Sequence, residues 1–343
     1  MTKLKILKLK TKQENFSHSN KIEWWKILLV IVVLIVCLSL TIVSFFTDGY
    51  DWYSAIDLNY DKQLYLKQVL VGSAIILAGF ALPIVGCSMQ ITTRNKLAEP
   101  TTLGFYPVIF MGLLISQLIT QGNYYLKNYL FAFLLSIIVI LINFVIVKGK
   151  PGKQTFKSIL IGFAINAIAT GCNYLIIEYG HIENQDALNW IRGNFGGVTE
   201  TNLYISLGLI LSFLIILFLL IPQFNLIQKD YILAKSLGIN VDLIYWIVAL
   251  CAVVITISSI ILVGGIVLIG VVVPHITRMI LRTDDNKIVM PMSGFIGMFL
   301  LSMSKWMVKG ISYYGVSLNI NLLIAILAIP VFILLLKTNR KGD

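Results

Sequence analysis

Charge is what this sequence has least of. Only 13% of its 343 residues are Asp, Glu, Lys or Arg, 58% are hydrophobic, and the mean hydropathy is +0.87. So little polar surface excludes a soluble globule, whatever domain count the length suggests. The four cysteines, Cys37, Cys87, Cys172 and Cys251, all fall inside apolar runs, and none has a metal-ligand spacing such as C-x-x-C. They read as small packing residues and say nothing about redox compartment. A Walker A motif is also absent. Gly152-Lys153 lacks both the upstream glycine and the following Ser or Thr. No nucleophile, base or metal cluster supports an enzyme. We therefore expect a chain without an ATPase site that binds no cofactor of its own.

The lack of charge is sharpest within the apolar runs, which keep every acidic residue in connections or at interfaces. Ion-coupled carriers retain a buried Asp, Glu, Lys or Arg as a coupling site, because such groups are costly in lipid and kept for use. This disfavours an ion-coupled secondary transporter, which stands as the alternative reading. A membrane sensor or scaffold, with no solute flux, is a third.

What the sequence does have is runs of about twenty apolar residues, the length of a bilayer-spanning helix. Ten spans are expected, at 26–46, 68–89, 102–120, 128–147, 158–178, 203–221, 243–262, 265–281, 288–307 and 320–336. The fold class is an all-α integral membrane protein. The first span is too long for a signal-peptide core and has no small-residue cleavage site, so it is read as retained. Residues 1–25 form a basic leader, 26–336 the membrane domain, 222–242 its longest inner connection, and 337–343 a tail.

The net charge of +11 is mainly a topology signal. Of the 27 Lys and Arg, 21 lie on the side of the leader and tail. Lys62, Lys67, Lys127, Arg192, Lys305 and Lys309 lie on the other. The positive-inside rule then puts both termini in the cytoplasm and removes the case for a nucleic-acid partner. The leader, lysines alternating with apolar residues, could rest on membrane lipid, though a disordered tail is the simpler reading.

The second span carries Gly72, Gly79 and Gly86 at seven-residue intervals. Nearly two turns apart, they form one slowly drifting bare stripe along which backbones can approach. Pro83 removes a backbone hydrogen bond on the same helix. A polar turn follows, Arg94-Asn95-Lys96-Leu97-Ala98-Glu99-Pro100, and Thr101 or Thr102 is available to cap the next helix. A faint repeat relates Ile75-Ile76-Leu77-x-Gly79, Gly86 and Thr93-Arg94 to Ile260-Ile261-Leu262-x-Gly264, Gly270 and Thr277-Arg278, with one residue slipped.

Gln90 with Arg94-Asn95-Lys96-Leu97-Ala98-Glu99-Pro100 and Leu103-Gly104 resembles the permease subunits of ferric-siderophore, haem and vitamin B12 ABC importers. Further marks recur in order. Trp190-Ile191-Arg192-Gly193 with Gly196-Gly197-Val198 resembles the family's outer-side element; on the resemblance, Trp190, Gly193, Gly196 and Gly197 help close the pathway. Read alone, Trp190 is an interfacial anchor and Arg192 a solvated charge. Ala234-Lys235-Ser236-Leu237-Gly238 is similar to the segment that docks on the ATPase. Gly264, Gly270, Pro274, His275 and Arg278 match the family's Gly-x-Ile…Gly-x-x-x-Pro-His-x-x-Arg. His275 could be a haem ligand or proton relay, but with no second ligand nearby it reads better as a structural histidine satisfying helix-end carbonyls.

The resemblance implies a multi-pass permease of the bacterial plasma (inner) membrane, of type II importer architecture. A dimer of ABC ATPase subunits would consume the ATP. A second permease subunit, identical or not, would complete the path, and an external binding protein would deliver the cargo, a ferric siderophore first, with haem or cobalamin as alternatives. Family members dock that protein through an Arg-x-Pro-Arg entry to the second helix. Here those arginines fall on Gln68 and Val71, leaving Lys62, Lys67 and Lys309 as the outer-face cations.

Overall fold

The computed structural model describes residues 24–46, 62–120, 125–146, 155–180, 198–312, 320–326 and 329–330, all helix and connection without a strand. The helices are α1 (Trp24–Phe46), α2 (Lys62–Thr93), α3 (Phe105–Thr120), α4 (Tyr125–Ile146), α5 (Thr155–Tyr179) and α6 (Glu200–Leu219). Two short ones follow, α7 (Ile221–Lys229) and α8 (Tyr231–Ser236), then α9 (Val241–Val263), α10 (Ile269–Leu281) and α11 (Asn286–Ser312). Among the described residues, six helices (α2, α4, α5, α6, α9 and α11) are long and apolar enough to cross a membrane. Shorter apolar stretches lie in α1, α3 and α10. Each of the first nine expected spans coincides with one of these helices, and residues 320–326 and 329–330, also helical, fall in the tenth. The leader and tail lie outside the described residues.

The bundle is built around α2 and α9. The chain from Cys251 to Val263 is buried without a break, as befits a helix that is apolar all round and enclosed on every side. Its two serines are self-satisfied: Ser258 and Ser259 donate to the carbonyls of Val254 (2.9 Å) and Ile255 (2.8 Å). α2 packs against α11, α9, α10 and α6. By contrast α5 leaves Leu160, Phe163, Ile168, Tyr174 and Leu175 exposed and touches the bundle mainly through α3 and the turn before it. Gly162 allows that contact: a side chain there would meet the Thr102 carbonyl at 2.2 Å.

The inner connection expected at 222–242 folds as α7 and α8. On α7 the residues Ile221, Phe224 and Ile227 repeat every third position and are buried. Asp230 caps α8, its Oδ1 accepting from the N–H groups of Ile232 (2.7 Å) and Leu233 (3.2 Å). Gly238, at φ +85°, ends it: its N–H donates to Lys235 O and that of Ile239 to Ala234 O. This paired cap requires a left-handed residue, a conformation glycine adopts without steric cost.

Candidate functional site

The two motif-bearing stretches, 72–104 and 264–278, meet where α2 crosses α10. A Cβ on Gly86 would lie 2.0 Å from the carbonyl oxygen of Gly270, its counterpart in the faint repeat, so the two backbones touch. The glycine stripe serves two neighbours in turn. A Cβ on Gly79 would lie 2.9 Å from Met298 Cα on α11, and the buried Gly72 sits farther back on the same stripe.

Proline explains what the crossing is for locally. Pro274, inside α10, has no N–H to offer the carbonyl one turn earlier, that of Gly270. A carbonyl orphaned inside an apolar bundle is costly. Gln90 fills the gap, its Nε2 donating to Gly270 O at 3.0 Å, while its Oε1 accepts from Arg278 Nη1 at 3.0 Å. Pro83 frees the Gly79 carbonyl in the same way, and that oxygen lies against the bare Gly297 of α11.

α2 ends at Arg94, which takes a left-handed conformation (φ +53°). Its N–H donates to Ile91 O and that of Asn95 to Gln90 O, the same paired cap that ends α8. Asn95 Oδ1 then accepts from the Leu97 N–H (2.9 Å), leaving the Leu97 side chain exposed and Ala98 and Pro100 buried. The expectation that Thr101 or Thr102 caps the next helix is overturned. α3 begins at Phe105, after Gly104 (φ +87°), and both hydroxyls turn back to Glu99.

Glu99 adds a buried acidic group to that picture. It lies in a connection, yet it is only 2% exposed. Its carboxylate accepts from the Thr101 hydroxyl and from the backbone N–H of Leu268 (3.2 Å), at the start of α10, where the helix dipole favours a negative group. Burial pushes its carboxyl up to about 7, opposed by the Thr101 hydroxyl and the N–H groups of Leu268, Val271 and Gly270.

The segment 264–268 between α9 and α10 is not helical. Gly264 (φ +74°) closes α9, and Leu268 (φ +69°) turns the chain into α10. Side chains occupy its backbone groups. Asn321 accepts from Val267 N–H (3.0 Å) and donates to Gly265 O (2.8 Å), Tyr106 donates to Ile266 O (2.6 Å), and Glu99 takes Leu268. His275 does not serve helix-end carbonyls as expected. Its Nδ1 lies 2.6 Å from Val271 O, one turn back in its own helix, and Nε2 has no protein partner. Among the described residues no three His, Cys, Asp or Glu side chains could hold a metal ion.

A polar chain missed at the sequence level ties this crossing to α7. Buried Asn286 donates from Nδ2 to Gln228 Oε1 (2.6 Å) and Asn225 Oδ1 (2.8 Å), and its N–H donates to the same Asn225 oxygen (2.9 Å). Its own Oδ1 faces Cys87 Sγ (3.9 Å), which in turn receives Arg278 Nη2 (3.3 Å). The signal available beforehand was slight: Asn225 and Gln228 share one face of a short amphipathic helix. Of the coupling candidates, Ala234 is buried, while Lys235, Ser236, Leu237 and Gly238 are exposed. Lys67 is exposed on α2, whereas the side chains of Lys62 and Lys309 lie outside the described residues, as do Trp190, Gly193, Gly196 and Gly197.

The pattern that defines the FecCD transport family matches residues 27–338. The chain belongs to the FecCD transport family. Among curated relatives, the vitamin B12 import system permease protein BtuC of Escherichia coli O139:H28 is 30% identical over 327 residues, 94% of this chain and 97% of BtuC. The iron-uptake system permease protein FeuC of Bacillus subtilis is 24% identical over 282 residues, 80% of this chain and 83% of FeuC. A metal-chelate type ABC transporter in an inward-facing conformation superposes with a TM-score of 0.74 at 18% identity, covering 89% of this chain and 99% of that one. PsaBC from Streptococcus pneumoniae gives 0.58 at 17%, over 79% and 91%. This FecCD chain is thus a multi-pass inner-membrane ABC importer permease.

Proposed function

We propose that this chain is the pathway-forming subunit of an importer for a bulky metal chelate, a ferric siderophore first, energised by a separate ATPase and fed by an external binding protein. A second permease subunit encloses the passage with it. The observation that carries the reading is the α7–α8 segment. It lies between two membrane-length helices, is cross-linked to the α2–α10 crossing through Asn286, and exposes Ile232, Leu233 and Leu237 on a short capped helix. Exposed apolar residues on a rigid lever suit a partner that pushes. Likeness to an iron-uptake permease supports iron cargo, and likeness to a vitamin B12 permease favours cobalamin as the second reading.

The test is uptake of radiolabelled ferric siderophore and cobalamin by cells carrying Leu237→Asp or Gly238→Pro. Both variants are expected to abolish uptake and ATPase co-purification while the permease still inserts. Normal uptake in both variants would overturn the coupling role. Uptake by the chain alone in liposomes, driven by a pH or sodium gradient, would favour the ion-coupled alternative.

A further inference from the structure

Beside the α2–α10 crossing the structure holds a cavity of 530 Å³ that no step above uses. Arg94, Lys96 and Arg278 line it with His275, and the one carboxylate present is Asp284. That carboxylate is 79% exposed and stands 3.9 Å from Arg278 Nε, too far for a charge-assisted hydrogen bond. Arg94 and Lys96 have no carboxylate partner among the described residues, and both are exposed. His275 Nε2 is buried without a partner. Three cations thus converge on the cavity, Arg278 held by Gln90 and the distant Asp284, while Arg94 and Lys96 face it without a carboxylate partner among the described residues.

The position of the cavity says what would fill it. Its wall includes Ile227 and Gln228 of α7. Arg94 at its rim stands over the Tyr231 ring of α8, 5.3 Å from the centroid, and Lys235 approaches the same ring at 5.9 Å. Ile232, 77% exposed, and Leu237, 60% exposed, continue that surface. A protein covering the exposed face of α8 therefore also passes the cationic mouth. We propose that the cavity is a socket for an acidic side chain of the ATPase subunit, a second docking point beside α8. This rests on the ATP-driven reading above. A carboxylate entering here meets Arg94 and Lys96 first and Arg278 deeper, while Asp284 at the rim rejects a wrong register by repulsion.

The experiment co-expresses the permease with its ATPase subunit and measures their association in nanodiscs of neutral phosphatidylcholine and of phosphatidylcholine with phosphatidylglycerol. Arg94→Glu/Lys96→Glu is compared with wild type across a salt series, with the thermal midpoint of the permease as a folding control. The double reversal is expected to weaken association about tenfold or more and to flatten its salt dependence in both lipids, with the midpoint unchanged. A Glu→Lys or Asp→Lys scan of the ATPase surface should then find one substitution that restores the pair. Unchanged association overturns the proposal. So does an effect confined to phosphatidylglycerol discs, which would make the cavity a lipid-phosphate site. If the wild-type chains fail to associate in either lipid, the ATP-driven reading falls and the socket with it.

Discussion

Replacing Gly86 by alanine tests the crossing most directly. The added carbon would stand 2.0 Å from the Gly270 carbonyl oxygen and 2.5 Å from Gly270 Cα, so backbone rather than a yielding side chain blocks it. Ordinary contact needs about 3.4 Å, so α2 and α10 must part by more than an ångström. Overpacking of this kind costs roughly 1–3 kcal/mol. The separation also takes Gln90 from the carbonyl that Pro274 leaves open, and an unsatisfied buried acceptor adds about 1–3 kcal/mol. The sum is on the order of 2–6 kcal/mol. Gly171→Ala is the matched control, since a side chain there meets nothing within 4 Å, and alanine gains helix propensity. The assay is the thermal midpoint of detergent-purified protein, with size-exclusion profiles to report aggregation. Gly86→Ala should fall by several degrees and spread in the profile while Gly171→Ala holds. Equal midpoints for the two variants would refute the close-approach argument.

Other expectations follow from the same geometry. Asn286→Leu leaves Gln228 Oε1 without its donor and Asn225 Oδ1 with the backbone N–H alone, and should lower stability by about 1–3 kcal/mol and loosen α7, read as faster hydrogen exchange in 221–229. Glu99→Ala strips the acceptor from the start of α10 and should be markedly less stable than Glu99→Gln, by about 1–3 kcal/mol in thermal unfolding. With the folded carboxyl near 7, above its ordinary value of 4.5, the native state holds the extra proton, so wild-type stability should fall as pH rises from 4.5 through 7. Glu99→Gln should remove that slope, and an unchanged slope would contradict it.

The helices were legible because apolar length is a one-dimensional property, and the first nine expected spans differ from the helices observed only at their ends. α2 starts at Lys62 rather than 68 because polar residues such as Gln63 and Gln68 continue a helix that hydropathy cuts short. The glycine stripe was legible as a close approach, but its partners were not, since nothing in spacing tells Met298 from Gly270. The burial of Glu99 was not legible, because a polar turn shows nothing of its packing against a distant backbone. Thr101 and Thr102 had the composition of a cap, but Thr101 turns to the Glu99 carboxylate and Thr102 to the Glu99 backbone. Asn286, Asn225, Gln228 and Asn321 carried little or no local signal, because their value lies in groups as far as 199 positions away.

The bridging segment 264–268 carries a consequence for biogenesis. Its peptide groups are chaperoned by Tyr106 and Glu99, synthesised long before it, and by Asn321, synthesised after it. Emerging from the ribosome, this stretch finds two of its three clients' hosts already in the membrane and must wait for the third. A chain truncated ahead of Asn321 should leave the bend unlocked, and quality-control proteolysis would strike there first.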